Sequence, residues 1–143
     1  PMLADIRKKA KSAMPIVAEC GGFMYLHRTM EDMEHRIYEM AGVVPGECFY
    51  TGKLVRFGYS ELEEKKANFL PKNVNIKGHE FHYWDSTCNG QSFKAQKPMR
   101  KKNWLCINSI NNLFAGYPHL HYYSNIDFAS NFIHKCNDYK KGR

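Results

Sequence analysis

Cys20 is the residue whose neighbours best suit it to act as a nucleophile. It stands in Pro15-Ile16-Val17-Ala18-Glu19-Cys20-Gly21-Gly22-Phe23-Met24-Tyr25-Leu26, an apolar β-branched run that leads through a cysteine and two glycines into a helical pattern. A tight strand-to-helix turn of this kind lifts a side chain out of a sheet, and glycines beside it clear the approach of a substrate. The start of the following helix is expected to lower the thiol pKa. Backbone N–H groups at the same place, Gly21 first among them, can hold an oxyanion. The segment also fits a small buried cysteine at a strand end, and the spacing alone leaves both readings open.

A thiol nucleophile needs a base. Two segments offer one: Gly116-Tyr117-Pro118-His119-Leu120-His121-Tyr122-Tyr123, after a turn, and Lys77-Gly78-His79-Glu80-Phe81-His82-Tyr83, within a strand pattern. Strand alternation would aim His119 and His121 to one face. Any of these histidines can equally be a hydrogen-bonded structural residue. His27, His35 and His134 have no such context and read as surface residues. The five cysteines are scattered, form no CxxC pair and follow no secretion-type leader, so free thiols are expected rather than disulfides. The paired ligands of a structural zinc are missing, and no metal is expected.

Before these segments, apolar residues Leu3, Ile6, Ala10 and Ala13 predict a helix over 2–13 that Pro15 ends. Residues 16–18 read as a buried strand, and a second helix should run from Phe23 into the 30–33 region. Strands are expected over 38–44, 49–51, 54–59, 75–84 and 104–107, separated by glycine and proline turns. Residues 60–70 read as a loop or short helix, and 91–103 as an exposed basic connection. A last helix over 125–135 takes Ser124 as its N-cap. This order predicts an α/β layer fold with a partly antiparallel sheet, whose reactive groups sit at the carboxyl ends of strands.

At 143 residues, with 43% hydrophobic and 24% charged side chains, the chain has the size and composition of one globular domain. No apolar run approaches the ~18 residues of a membrane span, which makes a cytoplasmic protein with no membrane partner the default. The formal charge of +7 falls mainly in 7–11, 65–66, 94–102 and 135–143. Solvated faces and a tail account for it without a nucleic-acid partner, and a positive surface can still attract anionic substrates.

Four segments together, PIVAECGGFMYL (15–26), RFGYSEL (56–62), KGHEFHYWDS (77–86) and GYPHLHYYSNIDFASNFI (116–133), resemble the glutaminase domain of the cobyrinic acid a,c-diamide synthases, in the cobalamin-pathway group of class I glutamine amidotransferases. The resemblance implies a three-layer α/β sandwich with a mixed, mostly parallel sheet. It assigns Cys20 as nucleophile, His119 as its base and Gly21 to the oxyanion hole. Related class I glutaminases end in His-Pro-Glu, whose Glu orients the His. Here the residues are His119-Leu120-His121, so a supporting role falls to Glu80 or His121. The expected partners are L-glutamine and, through an ATP- and Mg²⁺-dependent synthetase domain, cobyrinic or hydrogenobyrinic acid; a homodimer is compatible.

Family domains extend further toward the N-terminus by a strand and a glycine-rich loop, so residues 1–143 are expected to be a partial glutamine amidotransferase domain. No GxxxxGK[ST] loop occurs in the chain, and no cofactor is expected within it. Two other readings use the same residues. One is another amidotransferase or a cysteine hydrolase on this scaffold, and the other is a non-catalytic basic binding module.

Overall fold

Helix α1 (Met2–Lys11) opens the chain, and Leu3 and Ile6 pack on the interior. The computed structural model describes residues 1–142. After α1 come β1 (Ile16–Glu19), the one-turn helix α2 (Gly21–Tyr25), β2 (Thr29–Glu31), β3 (Ile37–Glu39) and β4 (Glu47–Tyr50). The second half holds β5 (Gly58–Glu64), β6 (Asn75–Glu80), β7 (Trp84–Ser86), β8 (Phe93–Gln96), β9 (Asn103–Cys106), β10 (Asn108–Ile110), β11 (Leu113–Gly116), β12 (His119–Leu120) and helix α3 (Asp127–Lys141).

The strands form three sheets, ordered β1-β11-β10, β12-β6-β5-β8-β9 and β3-β2-β4-β7. Pairing is parallel in β1–β11 and β2–β4, and antiparallel elsewhere among the described strands. The mixed α/β class is the expected one, with a larger antiparallel share than a mostly parallel sheet would have. Strands joined by short hairpins pair antiparallel, whereas each parallel pair needs a long crossover. For β1–β11 that crossover is most of the chain.

Two apolar clusters hold these layers together. One gathers Leu62, Phe69, Ile76, Phe93, Phe114 and Phe128, with the Phe114 ring edge-on to Phe69, Phe93 and Phe128. The other joins Phe23, Met24, Leu26, Val44, Cys48 and Tyr117 beneath α2. Burying rings of this size supplies much of a small domain's stability.

Several local expectations change. The helix after Cys20 stops at Tyr25, and 29–31 is strand β2, because Thr29 and Glu31 pair with Glu39 and Ile37 of β3. Residues 60–64 continue strand β5 rather than forming a loop or short helix, and the strand expected over 54–59 starts only at Gly58. Its inward side is Ser60, Leu62 and Glu64, so buried polar groups hid the alternation. Glu64 is 1% exposed and accepts backbone N–H bonds from Asn68, Phe69 and Leu70 at 3.2, 2.8 and 2.7 Å. Within the expected basic connection, 93–96 is strand β8. Strands β10 and β11 were not foreseen, since Asn108, Ser109, Asn111 and Asn112 break up their apolar pattern. Helix α3 begins at Asp127, whose N–H bonds Asn125 Oδ1, while Ser124 Oγ accepts the N–H of Lys77 instead of capping the helix.

Candidate active site

Parallel strands β1 and β11 end side by side, with Glu19 opposite Gly116. The Cys20 N–H continues the ladder to the Gly116 carbonyl at 2.9 Å, and the Cys20 carbonyl accepts from Met24 N at 2.9 Å to open α2. Between these bonds Cys20 takes φ +46° and ψ −108°, a region costly for any residue with a Cβ. A non-glycine residue is held there only when the surroundings demand it, as at a nucleophile elbow. Gly116 leaves room for Ile107 between β9 and β10, since a Cβ there would lie 2.5 Å from Ile107 Cγ1. A Cβ on Gly21 would meet nothing within 4 Å, so the space beside the half-buried thiol is open.

The thiol is not depressed as the sequence suggests. Burial pushes the Cys20 pKa above the ordinary thiol value, the Gly21 N–H bond pulls it down, and the charges of Glu80 and Glu19 add to the rise. A single-turn helix carries little of the dipole that a longer one would bring. A thiol held in its protonated form needs a base before it can act as a nucleophile.

His119 arrives on the two-residue strand β12, where it stands opposite His79 of β6 while Leu120 faces Gly78. Its ring stacks on that of His79, centroids 5.1 Å apart at 18°. His119 Nδ1 lies 3.8 Å from Glu19 Oε2. That carboxylate is held in turn: the Tyr122 hydroxyl donates to Glu19 Oε1 at 2.6 Å and the Leu120 N–H at 3.3 Å. Burial, and then the bond to Glu19, push the Tyr122 pKa up, so the phenol stays a donor. Glu19 was passed over in the sequence, because only the meeting of β1 and β12 brings it to His119.

His121 lies beyond β12, so strand alternation does not govern it. It precedes a 3-10 turn (Tyr122–Ser124), and its ring sits 6.5 Å from that of Tyr123. A cleft of about 390 Å³ lined by Tyr59, Lys77, Gly78, His79, Leu120 and His121 opens next to His119.

Glu80 is 1% exposed and is engaged away from His119. Its Oε2 meets His82 Nε2 at 2.7 Å and accepts from Arg56 Nε at 3.2 Å, and its Oε1 accepts from Trp104 Nε1 at 3.1 Å. Arg56 also donates to both oxygens of Asp85. Burial opposes the Arg56 charge, but the bonds to Asp85 and Glu80 outweigh it and raise its pKa. The carboxylate beside His119 is thus that of Glu19 rather than Glu80, and Glu80 reaches Cys20 only as a nearby charge. His82 is buried, stacked on Tyr117 at 3.9 Å. His27, expected at the surface, is fully buried with Nδ1 at the Phe23 carbonyl and Nε2 at Ser86 Oγ. Phe23 had signalled a helix, but not that its i+4 histidine would turn inward. His35 is exposed and pairs with Glu31, and His134 is exposed.

The sequence pattern of the CobB/CobQ-like glutamine amidotransferase domain matches residues 1–126. The chain belongs to that family. As a CobB/CobQ-like domain it is similar to the cobyrinate a,c-diamide synthase of Caldanaerobacter subterraneus subsp. tengcongensis, 36% identical over 141 residues, covering 96% of this chain and 31% of that protein. The enzyme of the same name from Priestia megaterium is 34% identical over 146 residues, covering 97% of this chain and 31% of the relative. That of Fusobacterium nucleatum is 37% identical over 132 residues, covering 89% and 28%. The chain thus spans under a third of the length of these relatives. Among the described residues of this CobB/CobQ-like domain, no three His, Cys, Asp or Glu side chains gather as a metal site, and no helix is long and apolar enough to cross a membrane.

Proposed function

We propose that this CobB/CobQ-like domain hydrolyses glutamine to supply ammonia for the ATP-dependent amidation of the a and c carboxylates of cobyrinic acid or its hydrogenobyrinic relative. The observation that carries the reading is Cys20, held at φ +46° on a strand-to-helix turn in a family of glutamine amidotransferases. The names of the relatives support the acceptor acid.

In this reading His119 takes the thiol proton as glutamine arrives, and the Cys20 sulfur attacks the side-chain Cδ carbonyl. The N–H of Gly21 supports the oxyanion. His119 then protonates the nitrogen, the C–N bond breaks, and ammonia leaves a thioester on Cys20. Water, deprotonated by His119, attacks that thioester, releasing glutamate and returning the thiol. ATP and Mg²⁺ would activate the acceptor carboxylates in a synthetase part outside these residues, and the reaction would run in the cytoplasm.

Glutamate release by the intact protein tests this reading. Cys20→Ser should abolish it, and His119→Ala should lower it by roughly 10²–10⁴-fold, the usual worth of a positioned acid–base group. Both variants should keep the wild-type circular dichroism spectrum. Undiminished hydrolysis by Cys20→Ser would overturn the proposal.

A further inference from the structure

His119 has no carboxylate two residues after it, and the fold brings one to it from another strand. We propose that Glu19 is the positioning residue of His119, so that nucleophile and orienting carboxylate are consecutive residues at the end of β1. The inference rests on the glutaminase reading of Cys20 and His119.

The ring atom that faces Glu19 is Nδ1, at 3.8 Å from Oε2. A neutral imidazole carries one N–H. A carboxylate at Nδ1 keeps the proton there and leaves Nε2 free to accept from a thiol. The separation is an ion-pair distance, and catalytic hydrogen bonds of unliganded enzymes commonly shorten when substrate binds.

Glu19 is built to hold its position. Tyr122 and the Leu120 N–H fix Oε1, leaving Oε2 to face the imidazole, and the side chain is 18% exposed. The His79 ring lies flat against the His119 ring and restricts its swing. Two of the three groups around the carboxylate, Leu120 N–H and Tyr122, follow His119 by one and three residues, so the chain that delivers the histidine also clamps its partner. Glu80, the other nearby acid, is saturated by Arg56, His82 and Trp104.

The test uses the isosteric Glu19→Gln, with Glu19→Asp and Tyr122→Phe beside it, in the intact protein. Glutaminase kinetics should show kcat lower by 10²-fold or more in Glu19→Gln with KM little changed, partial recovery in Glu19→Asp, and a smaller loss in Tyr122→Phe. In parallel, ¹⁵N–¹H spectra of histidine-labelled protein read the His119 tautomer without any substrate. The wild type should be protonated at Nδ1, and Glu19→Gln should lose that preference. A wild-type ring protonated at Nε2, or a tautomer unchanged in Glu19→Gln, would overturn the proposal. Wild-type protein that hydrolyses no glutamine would instead sink the glutaminase reading, while the tautomer still decides the role of Glu19.

Discussion

Replacing Gly78 by alanine, on a strand that carries no reacting atom, should damage catalysis through the backbone of its neighbour. A Cβ at Gly78 would lie 2.7 Å from the His119 carbonyl oxygen and 2.9 Å from Leu62 Cδ1, where ordinary contact begins at 3.4 Å. The shortfalls are 0.7 Å (3.4 − 2.7) and 0.5 Å (3.4 − 2.9). Leu62 is fully buried on the interior strand β5 and has nowhere to go. Strand β12 has two residues and lies at the sheet edge, so it yields and carries His119 outward. Misplacing a catalytic group by about 1 Å can cost about 10²-fold, so a 10- to 100-fold loss of kcat is expected. Overpacking should cost about 1–3 kcal/mol of stability. Glutamate release under conditions where the variant is fully folded, paired with urea unfolding, separates the two effects. A folded Gly78→Ala protein with kcat within about twofold of wild type would refute the claim that this close approach positions His119.

The remaining predictions concern buried charge and thiols. Glu64→Ala orphans the buried N–H groups of Phe69 and Leu70 and the half-buried one of Asn68, and urea unfolding should show a loss of about 2–6 kcal/mol, because each of the two buried donors costs about 1–3. Because burial raises the Cys20 pKa, its alkylation by iodoacetamide should climb roughly tenfold per pH unit from 7 to 9; a plateau below pH 8 would show a depressed thiol instead. Cys48 is pushed up to about 11 by burial, so the folded state holds that proton more tightly than the unfolded chain. Stability should therefore be fullest below the ordinary thiol pKa and fall as pH rises from about 9 to 11, which thermal unfolding across that range would register.

The elbow was legible because its chemistry is local: a β-branched run, a cysteine and two glycines within eight residues. His119 was singled out for a similar reason, sitting after a turn among aromatics. Glu19 was not, since its relation to His119 runs through two strands a hundred residues apart in sequence and depends on how β12 meets β6. The thiol shift also escaped, because it comes first from burial of Cys20, which no local pattern shows, and only one helical turn follows before β2. Strand β5 was missed because its inward face carries Ser60 and Glu64, and Glu64 behaves as a cap for the following backbone rather than as a surface charge. Polar residues placed inside for hydrogen bonding defeat patterns that sort side chains by polarity.

The most direct measurement is covalent labelling of the intact protein by 6-diazo-5-oxo-norleucine, a glutamine analogue that alkylates glutaminase nucleophiles, mapped by peptide mass spectrometry. The four other free cysteines serve as internal controls. One adduct is expected, on Cys20, suppressed by excess glutamine and strongly slowed in His119→Ala. No adduct on Cys20, or equal labelling of Cys88 and Cys136, would contradict it.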